Sequence, residues 1–116
     1  MDGRGAVAIE PRWRIVVIDD HARSRALVRA TITTLGGSVV AEADTAAAGV
    51  ELVERLRPDA VMLAVGLPDR DGVELAGEIM RRAPCPIVLT TSRAESSLVQ
   101  RARLAGTMAY LVKPLR

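Results

Sequence analysis

The chain has 116 residues, enough for one domain with its own core and no need of disulfide or metal staples. Its composition, 49% hydrophobic and 26% charged, excludes a disordered polyelectrolyte and is ordinary for a globular fold. The formal net charge is only +2, and the basic residues are scattered rather than gathered in one run, which argues against nucleic-acid binding by this segment alone.

Taken in order, the first dozen residues are rich in Gly, Ala and charge and read as a flexible tail, residues 1–12. "RIVVID", Arg14 to Asp19, is a β-branched run expected of a strand covered on both faces. From Ala22 to Leu35 the apolar positions Leu27, Val28, Ala30, Ile32 and Leu35 follow helical spacing, and Gly36-Gly37 stops the helix. "SVVAEA" is a more polar strand, expected at a sheet edge. Thr45 caps a helix that runs to about Arg57, where Pro58 ends it. "AVMLAV" is a third strand, followed by the turn-rich Gly66–Asp71 and a helix from about Gly72 to Ala83. "PIVLTT" is the fourth strand, Glu95 to Ala105 a helix closed by Gly106, and "MAYLV" the fifth strand, ending at Lys113-Pro114.

Five strands alternating with four helices predict an α/β fold with a parallel sheet and right-handed crossovers. Only three residues follow Lys113, so a final helix over one sheet face is not expected within this sequence; a partner or further chain is expected to cover it. No apolar run approaches the roughly 20 residues of a membrane span, and the start carries no signal-peptide pattern. The lone Cys85 excludes a disulfide framework, fits a reducing cytoplasm and reads as a small apolar residue before a strand.

In an open α/β sheet ligands bind beyond the carboxyl ends of the strands. Asp19-Asp20 stand at that end of the first strand, Ala64 of the third, Thr90-Thr91 of the fourth and Lys113 of the fifth. Two carboxylates, a hydroxyl and an ammonium suit a hard divalent cation plus a phosphoryl group. Each piece alone has a plainer reading: helix capping for the Asp pair, a β-branched strand residue for Thr90, a solvated strand end for Lys113. Fifteen of the sixteen basic residues are Arg, so the single Lys at this end gains weight, because a compact ammonium differs from a planar guanidinium.

The motifs "VVIDDH", "PDAVMLAVGLPDRDG", "PIVLTTS" and "AGTMAYLVKP", in this order from Arg14 to Pro114, resemble the receiver domains of bacterial two-component response regulators. The resemblance implies a flavodoxin-like, doubly wound sheet of order 2-1-3-4-5 with five helices, the last of them missing from residues 13–116. It implies that a histidine kinase donates a phosphoryl group to an aspartate at the end of the third strand. Asp20 would hold Mg²⁺ directly and Asp19 partly through water, with the Gly66 carbonyl as a further ligand. Thr90 would bond the phosphoryl oxygen, Lys113 would pair with it, Tyr110 would be the aromatic switch, and Pro114 the proline that often follows by a cis bond.

The departure is Ala64, which stands where the acceptor aspartate belongs. Asp59 lies about 16 Å away at the other end of the same strand. Asp69 and Asp71 belong to the loop beyond and are expected to face outward or cap the next helix. With one carboxylate gone, Mg²⁺ binding is expected to be weak or absent, and Lys113 to lean on Asp19 or Asp20, locking the pocket in one state. The intact signature around Ala64 favours recent or deliberate loss of an aspartate over long drift.

The resemblance further implies action through protein contacts and a homodimer on the surface from Arg93 to Ala105 and Met108 to Val112, where Arg101 and Arg103 would make interfacial ion pairs or remain solvated. "RARLAGTMAYLVKP" is similar to receivers that precede the ANTAR RNA-binding module, and "DDH" with Arg25 to regulators with a DNA-binding output; neither output is in this sequence. Two other classes stay open: a Mg²⁺-dependent phosphatase using Asp19 as nucleophile, and a module whose pocket takes a free anion beside Thr90 and Lys113.

Overall fold

The computed structural model describes residues 13–92, 96–107 and 109–113. The expected tail over residues 1–12, the Glu95 start of the fourth helix, Arg93, Met108 and Pro114 lie outside the described residues. Among the described residues nine elements alternate: β1 (Arg14–Ile18), α1 (Ala22–Thr34), β2 (Ser38–Ala43), α2 (Ala46–Leu56), β3 (Ala60–Ala64), α3 (Gly72–Arg82), β4 (Ile87–Thr91), α4 (Ser96–Leu104) and β5 (Ala109–Val112).

The strands form one parallel sheet in the order β2-β1-β3-β4-β5. From β1 the chain steps outward to β2, then crosses back to β3 and continues one way through β4 and β5. Right-handed crossovers therefore put α1 on one face and α2, α3 and α4 on the other. The direction reverses between β1 and β3, and the carboxyl ends of β1, β4 and β5 carry the polar residues Asp19, Asp20, Thr90, Thr91 and Lys113.

Local chemistry accounts for the element ends. Thr45 accepts the Ala48 N–H at 3.2 Å and starts α2, as its residue type predicts. α1 ends where Gly36 takes a left-handed φ of 96°, and the Gly37 N–H reaches back to Ile32 O at 2.9 Å. Gly106, at φ 84°, ends α4 in the same way.

The larger core joins Val16, Ile18, Val61, Leu63, Ile87 and Leu89 of the sheet to Val53 of α2, Leu75 and Ile79 of α3, and Leu98 of α4. The half-buried Cys85 packs against it as a small apolar side chain, and burial pushes its thiol pKa up, so it stays protonated. The opposite face carries a smaller cluster, Ile15, Val17, Ile32 and Ala60, with Trp13, Val28, Val39 and Met62 against it. Away from α1, on β5, Leu111 is 53% exposed.

Two glycines set how closely helices approach this sheet. A Cβ on Gly49 would stand 2.6 Å from Ile18 Cδ1, and one on Gly72 would stand 2.1 Å from the Ala64 carbonyl oxygen and 2.8 Å from Val65 Cα. The first clash is with the end of a side chain that can turn; the second is with backbone that cannot yield. Gly72→Ala is therefore expected to cost about 3 kcal/mol or more, and Gly49→Ala about 1–2 kcal/mol. Urea unfolding of the two variants checks this; equal losses at the two positions would show that β3 does not confine α3.

Candidate functional site

Asp19 follows β1 directly and is 2% exposed. Four interactions hold it. Its N–H donates to Ala43 O at 2.9 Å, and its Oδ1 accepts the His21 N–H at 2.9 Å. Its carbonyl accepts from Arg25 NH1 at 2.8 Å, and Lys113 Nζ stands 3.1 Å from Oδ2. Oδ2 is buried and accepts no hydrogen bond among the described residues, so the ammonium is its balancing charge. The expectation that Lys113 leans on Asp19 or Asp20 is met, with Asp19 as the partner.

Asp20 is more open, and His21 Nδ1 lies 3.2 Å from its Oδ1 and 3.7 Å from Asp19 Oδ1. These three residues present one ligand atom each within 4.8 Å of one another. Ala64, buried at the end of β3, is in register with Thr90 of β4, and the Val65 N–H continues the pairing to Thr90 O at 2.9 Å. Thr90 is itself buried. The Lys113 N–H donates to Thr91 O at 2.6 Å, which carries the lysine past β5 beside the same strand end. Asp19, Asp20, Ala64, Thr90 and Lys113 thus share one end of the sheet. Gly66 pairs with Asp71 in an isolated antiparallel bridge that shapes the loop after β3. Tyr110 lies on β5 opposite Leu89, and its side chain lies outside the described residues.

The remaining acids do other work. Asp59 accepts the Arg14 N–H at 2.7 Å at the far end of the sheet. Asp71 caps α3, as foreseen, accepting from Val73 N at 2.7 Å and Glu74 N at 3.4 Å. Asp69 is exposed, in keeping with the expectation that it faces outward, but it does not cap the next helix. It serves the previous one, accepting from Ala46 N at 2.8 Å and Ala47 N at 3.1 Å at the start of α2. Those amides hold its carboxyl below the usual range. A helix N-terminus presents free N–H groups, and a carboxylate 23 residues further on supplies their acceptor.

Two arginines take roles that spacing alone did not reveal. Arg25, on the same helical stripe as Arg29, ties the Asp19 carbonyl to Glu42 of β2, its Nε lying 3.2 Å from Oε1, while Arg29 bonds the other Glu42 oxygen. The single acid of β2, facing an i, i+4 arginine pair, was the available signal. Arg101 of α4 bonds Asp71 at 2.6 Å, so within this chain it makes an internal ion pair. Partial burial pushes the Asp71 carboxyl up, but Arg101 and the Val73 amide outweigh it, and the group titrates below its ordinary value.

The donor set fits a divalent cation in part. Asp19 and Asp20 could supply carboxylates, one of them with a buried oxygen that has no hydrogen bond among the described residues. Two carboxylates against one ammonium leave about one formal negative charge, a weak hold on an ion that prefers a full octahedron of oxygens.

This fold and strand-end cluster define a class. The family profile of the response regulator receiver domain matches residues 15–116, and the chain belongs to that family. It is 41% identical over 109 residues to the transcriptional regulatory protein PdtaR of Mycobacterium tuberculosis, an alignment covering 94% of this chain and 53% of PdtaR. It therefore spans about half the length of that relative. The chemotaxis protein CheY of Thermotoga maritima is 30% identical over 104 residues, 89% of this chain and 87% of CheY. Among solved structures, a LuxR-family two-component response regulator from Aurantimonas superposes with a TM-score of 0.82 at 30% identity, covering 87% of this chain and 74% of the other. The response regulator domain of Thermotoga maritima CheB gives 0.82 at 24% identity, covering 89% and 79%, and speaks for the fold.

Two outcomes test the site's internal bonds. Lys113→Met leaves a buried carboxylate uncompensated and is expected to cost about 3 kcal/mol at neutral pH, read by urea unfolding; a loss under about 1 kcal/mol would show that the pair is not the balancing charge. The exposed Asp71–Arg101 pair is screened by water, so Arg101→Gln is expected to cost only about 0.5 kcal/mol. Because the folded Asp71 pKa is lowered, its contribution is present above the ordinary value of 3.8 and lost as the pH falls through the folded value. Arg101→Gln should therefore lower stability by about that amount above pH 3.8, leave it nearly unchanged at the acid end, and so flatten the acid limb.

Proposed function

We propose that this chain is a receiver that cannot accept a phosphoryl group at the usual position and acts through protein contacts. The observation that carries the reading is Ala64: a buried methyl at the end of β3, level with Thr90, where receivers carry the acceptor carboxylate. No nearby acid replaces it, because Asp59 binds Arg14, Asp69 caps α2 and Asp71 caps α3.

The residues around Ala64 retain parts of the receiver's equipment. Asp20 and Asp19 would hold Mg²⁺ with the Gly66 carbonyl, weakly for want of the third carboxylate; when bound, the ion neutralises charge on a phosphoryl oxygen. Thr90 would offer its hydroxyl to the same group. Lys113 is already committed to Asp19, which favours one fixed state and weighs against a pocket for a free anion. The domain is non-catalytic in this reading, and a phosphatase using Asp19 is disfavoured because that carboxylate is buried against the lysine.

Within the whole protein, the receiver would stand ahead of an RNA-binding output of the ANTAR kind, in keeping with a transcriptional regulator, PdtaR, as a relative. Its partners would be a histidine kinase and a second copy of itself, meeting through α4 and β5, in the cytoplasm. Among the described residues no helix is long and apolar enough to cross a membrane.

Intact-mass spectrometry after incubation with Mg²⁺ and a small-molecule phosphodonor tests the acceptor claim, with Ala64→Asp alongside. Only the variant should gain a phosphoryl group. Labelling of the present chain would overturn the reading, and labelling of neither would show that more than the acceptor has been lost.

A further inference from the structure

The end of the sheet opposite the acidic pocket has no part in the acceptor reading. α2, α3 and α4 pack on one face and run antiparallel to the strands, so their last turns gather at that end. Arg82 of α3 bonds Glu54 of α2 at 3.0 Å, and Gly106, just past α4, lies against Met80 of α3. Each of these last turns carries arginine: Arg55 in α2, Arg81 and Arg82 in α3, Arg101 and Arg103 in α4. α1, on the other face, has no basic residue in its last turn. Arginines scattered along the sequence are thus collected in space.

A plainer reading is that these cations complement the helix dipoles and bond the free carbonyls. At α2 that task is already filled. Arg14, from the start of β1, donates to Leu56 O at 2.9 Å and to Arg57 O at 3.2 Å. Arg55 and Arg57 are exposed and make no ion pair among the described residues. Arg57 also holds a left-handed φ of 47°, and it is the one non-glycine residue among those described to do so. Glycine is favoured at such a helix end, so this arginine stands there at a conformational cost that α2 does not require. Arg81 and Arg103 are likewise exposed without an ion pair among the described residues, whereas Arg82 is committed to Glu78 and Glu54. Of the exposed acids closest in the chain, Asp59 already accepts the Arg14 N–H, and Glu51 lies one turn before Arg55.

We propose that the arginine-bearing ends of α2, α3 and α4 form a docking surface for the phosphate backbone of a nucleic acid. The inference goes beyond the acceptor reading and does not rest on it. A guanidinium pairs with phosphate through two parallel N–H donors and stays charged throughout the physiological range. Packed helices stand about 8–10 Å apart, so three of them spread these cations over roughly 16–20 Å, enough to meet several phosphates. Trp13, at the same end, packs against the smaller core and is not offered for base stacking. The surface therefore reads charge rather than bases, and its hold falls with salt. Asp19, Asp20, Asp44, Asp69 and Asp71 stand at the other pole, so a chain of net charge only +2 is dipolar and turns its arginines to a polyanion. An acidic protein fits less well. Protein interfaces are anchored by bulky apolar groups, and among the described residues Leu104 is the one large exposed apolar side chain in these three last turns.

The experiment is fluorescence anisotropy of short labelled RNA and DNA duplexes of arbitrary sequence, titrated with the full chain over a series of salt concentrations. Binding is expected with a Kd on the order of 10⁻⁵ M at low salt and a logarithmic salt slope of about −3, as for about three phosphates neutralised. Arg57→Gln combined with Arg81→Gln should weaken binding about tenfold or more and bring the slope to about −1. Arg23→Gln combined with Arg70→Gln removes the same charge from the opposite end and should change the affinity by about twofold or less. Arg57→Gly supplies a second readout. It should raise the urea midpoint by relieving the left-handed residue, yet weaken duplex binding about threefold, a divergence that a purely structural arginine would not give. Binding of RNA or of DNA through these arginines supports the proposal, and a preference between them names the source. No binding at low salt, indifference to the Arg57→Gln and Arg81→Gln pair, or an equal loss in the opposite-end control overturns it. Polyglutamate held by the same arginines more tightly than either duplex also overturns it, and assigns the surface to an acidic protein.

Discussion

The buried ion pair between Asp19 and Lys113 is the constraint around which this end of the molecule is arranged. Asp19 follows β1 and Lys113 follows the edge strand β5, with β3 and β4 between them. Three inter-strand spacings amount to about 14–15 Å, so the two side chains meet only if the lysine lies across the ends of β3 and β4. That course passes the position of Ala64. A buried carboxylate without a counter-charge is strongly disfavoured, so the pair binds the fifth strand to the first as firmly as it defines the pocket. A lysine suits the task because its long flexible stem places a compact charge where a guanidinium fork would need room for its plane.

Around this pair the fold supplies independent supports. Arg25 grips the Asp19 carbonyl from α1 and reaches Glu42 on β2, so the loop after β1 is braced against the sheet edge. Asp69 and Asp71 anchor the loop after β3 at the starts of two different helices, α2 and α3. Gly72 lets α3 begin against the Ala64 carbonyl at a distance no side chain permits. None of these contacts involves the side chain of residue 64.

How much of this could be read in the sequence divides by range. Strands, helices and their ends follow from local pattern, so the β-branched run of β1, the Thr45 cap and the Gly36-Gly37 stop all stand where the residue types put them. The strand-end cluster was legible as well, since alternation of strands and helices brings carboxyl ends together whatever lies between. Pairings over long separations were not. Asp69 serves a helix 23 residues earlier, and Asp71 meets Arg101 30 residues later. No periodicity encodes such partners; they follow from how α2, α3 and α4 lie side by side on one face. Arg101, read in sequence as a candidate for an interface, is held within the chain for the same reason.

Because the supports are independent of residue 64, what an alanine there alters, in the proposed reading, is confined to chemistry. An aspartate there would bring a third carboxylate beside Asp19 and Asp20, and like charges that close raise one another's pKa unless a cation intervenes. Lysine and metal would then share the task of neutralising them, and the lysine would have two carboxylates to choose between. With alanine the choice disappears: Lys113 has one buried partner, Asp19 one buried counter-ion, and the methyl group packs in the core. A two-state switch needs two arrangements of comparable free energy. In the proposed reading, an alanine in place of that carboxylate takes away the alternative partner for the ammonium, and with it the second arrangement, while the sheet, the loop and both helix caps do not depend on it.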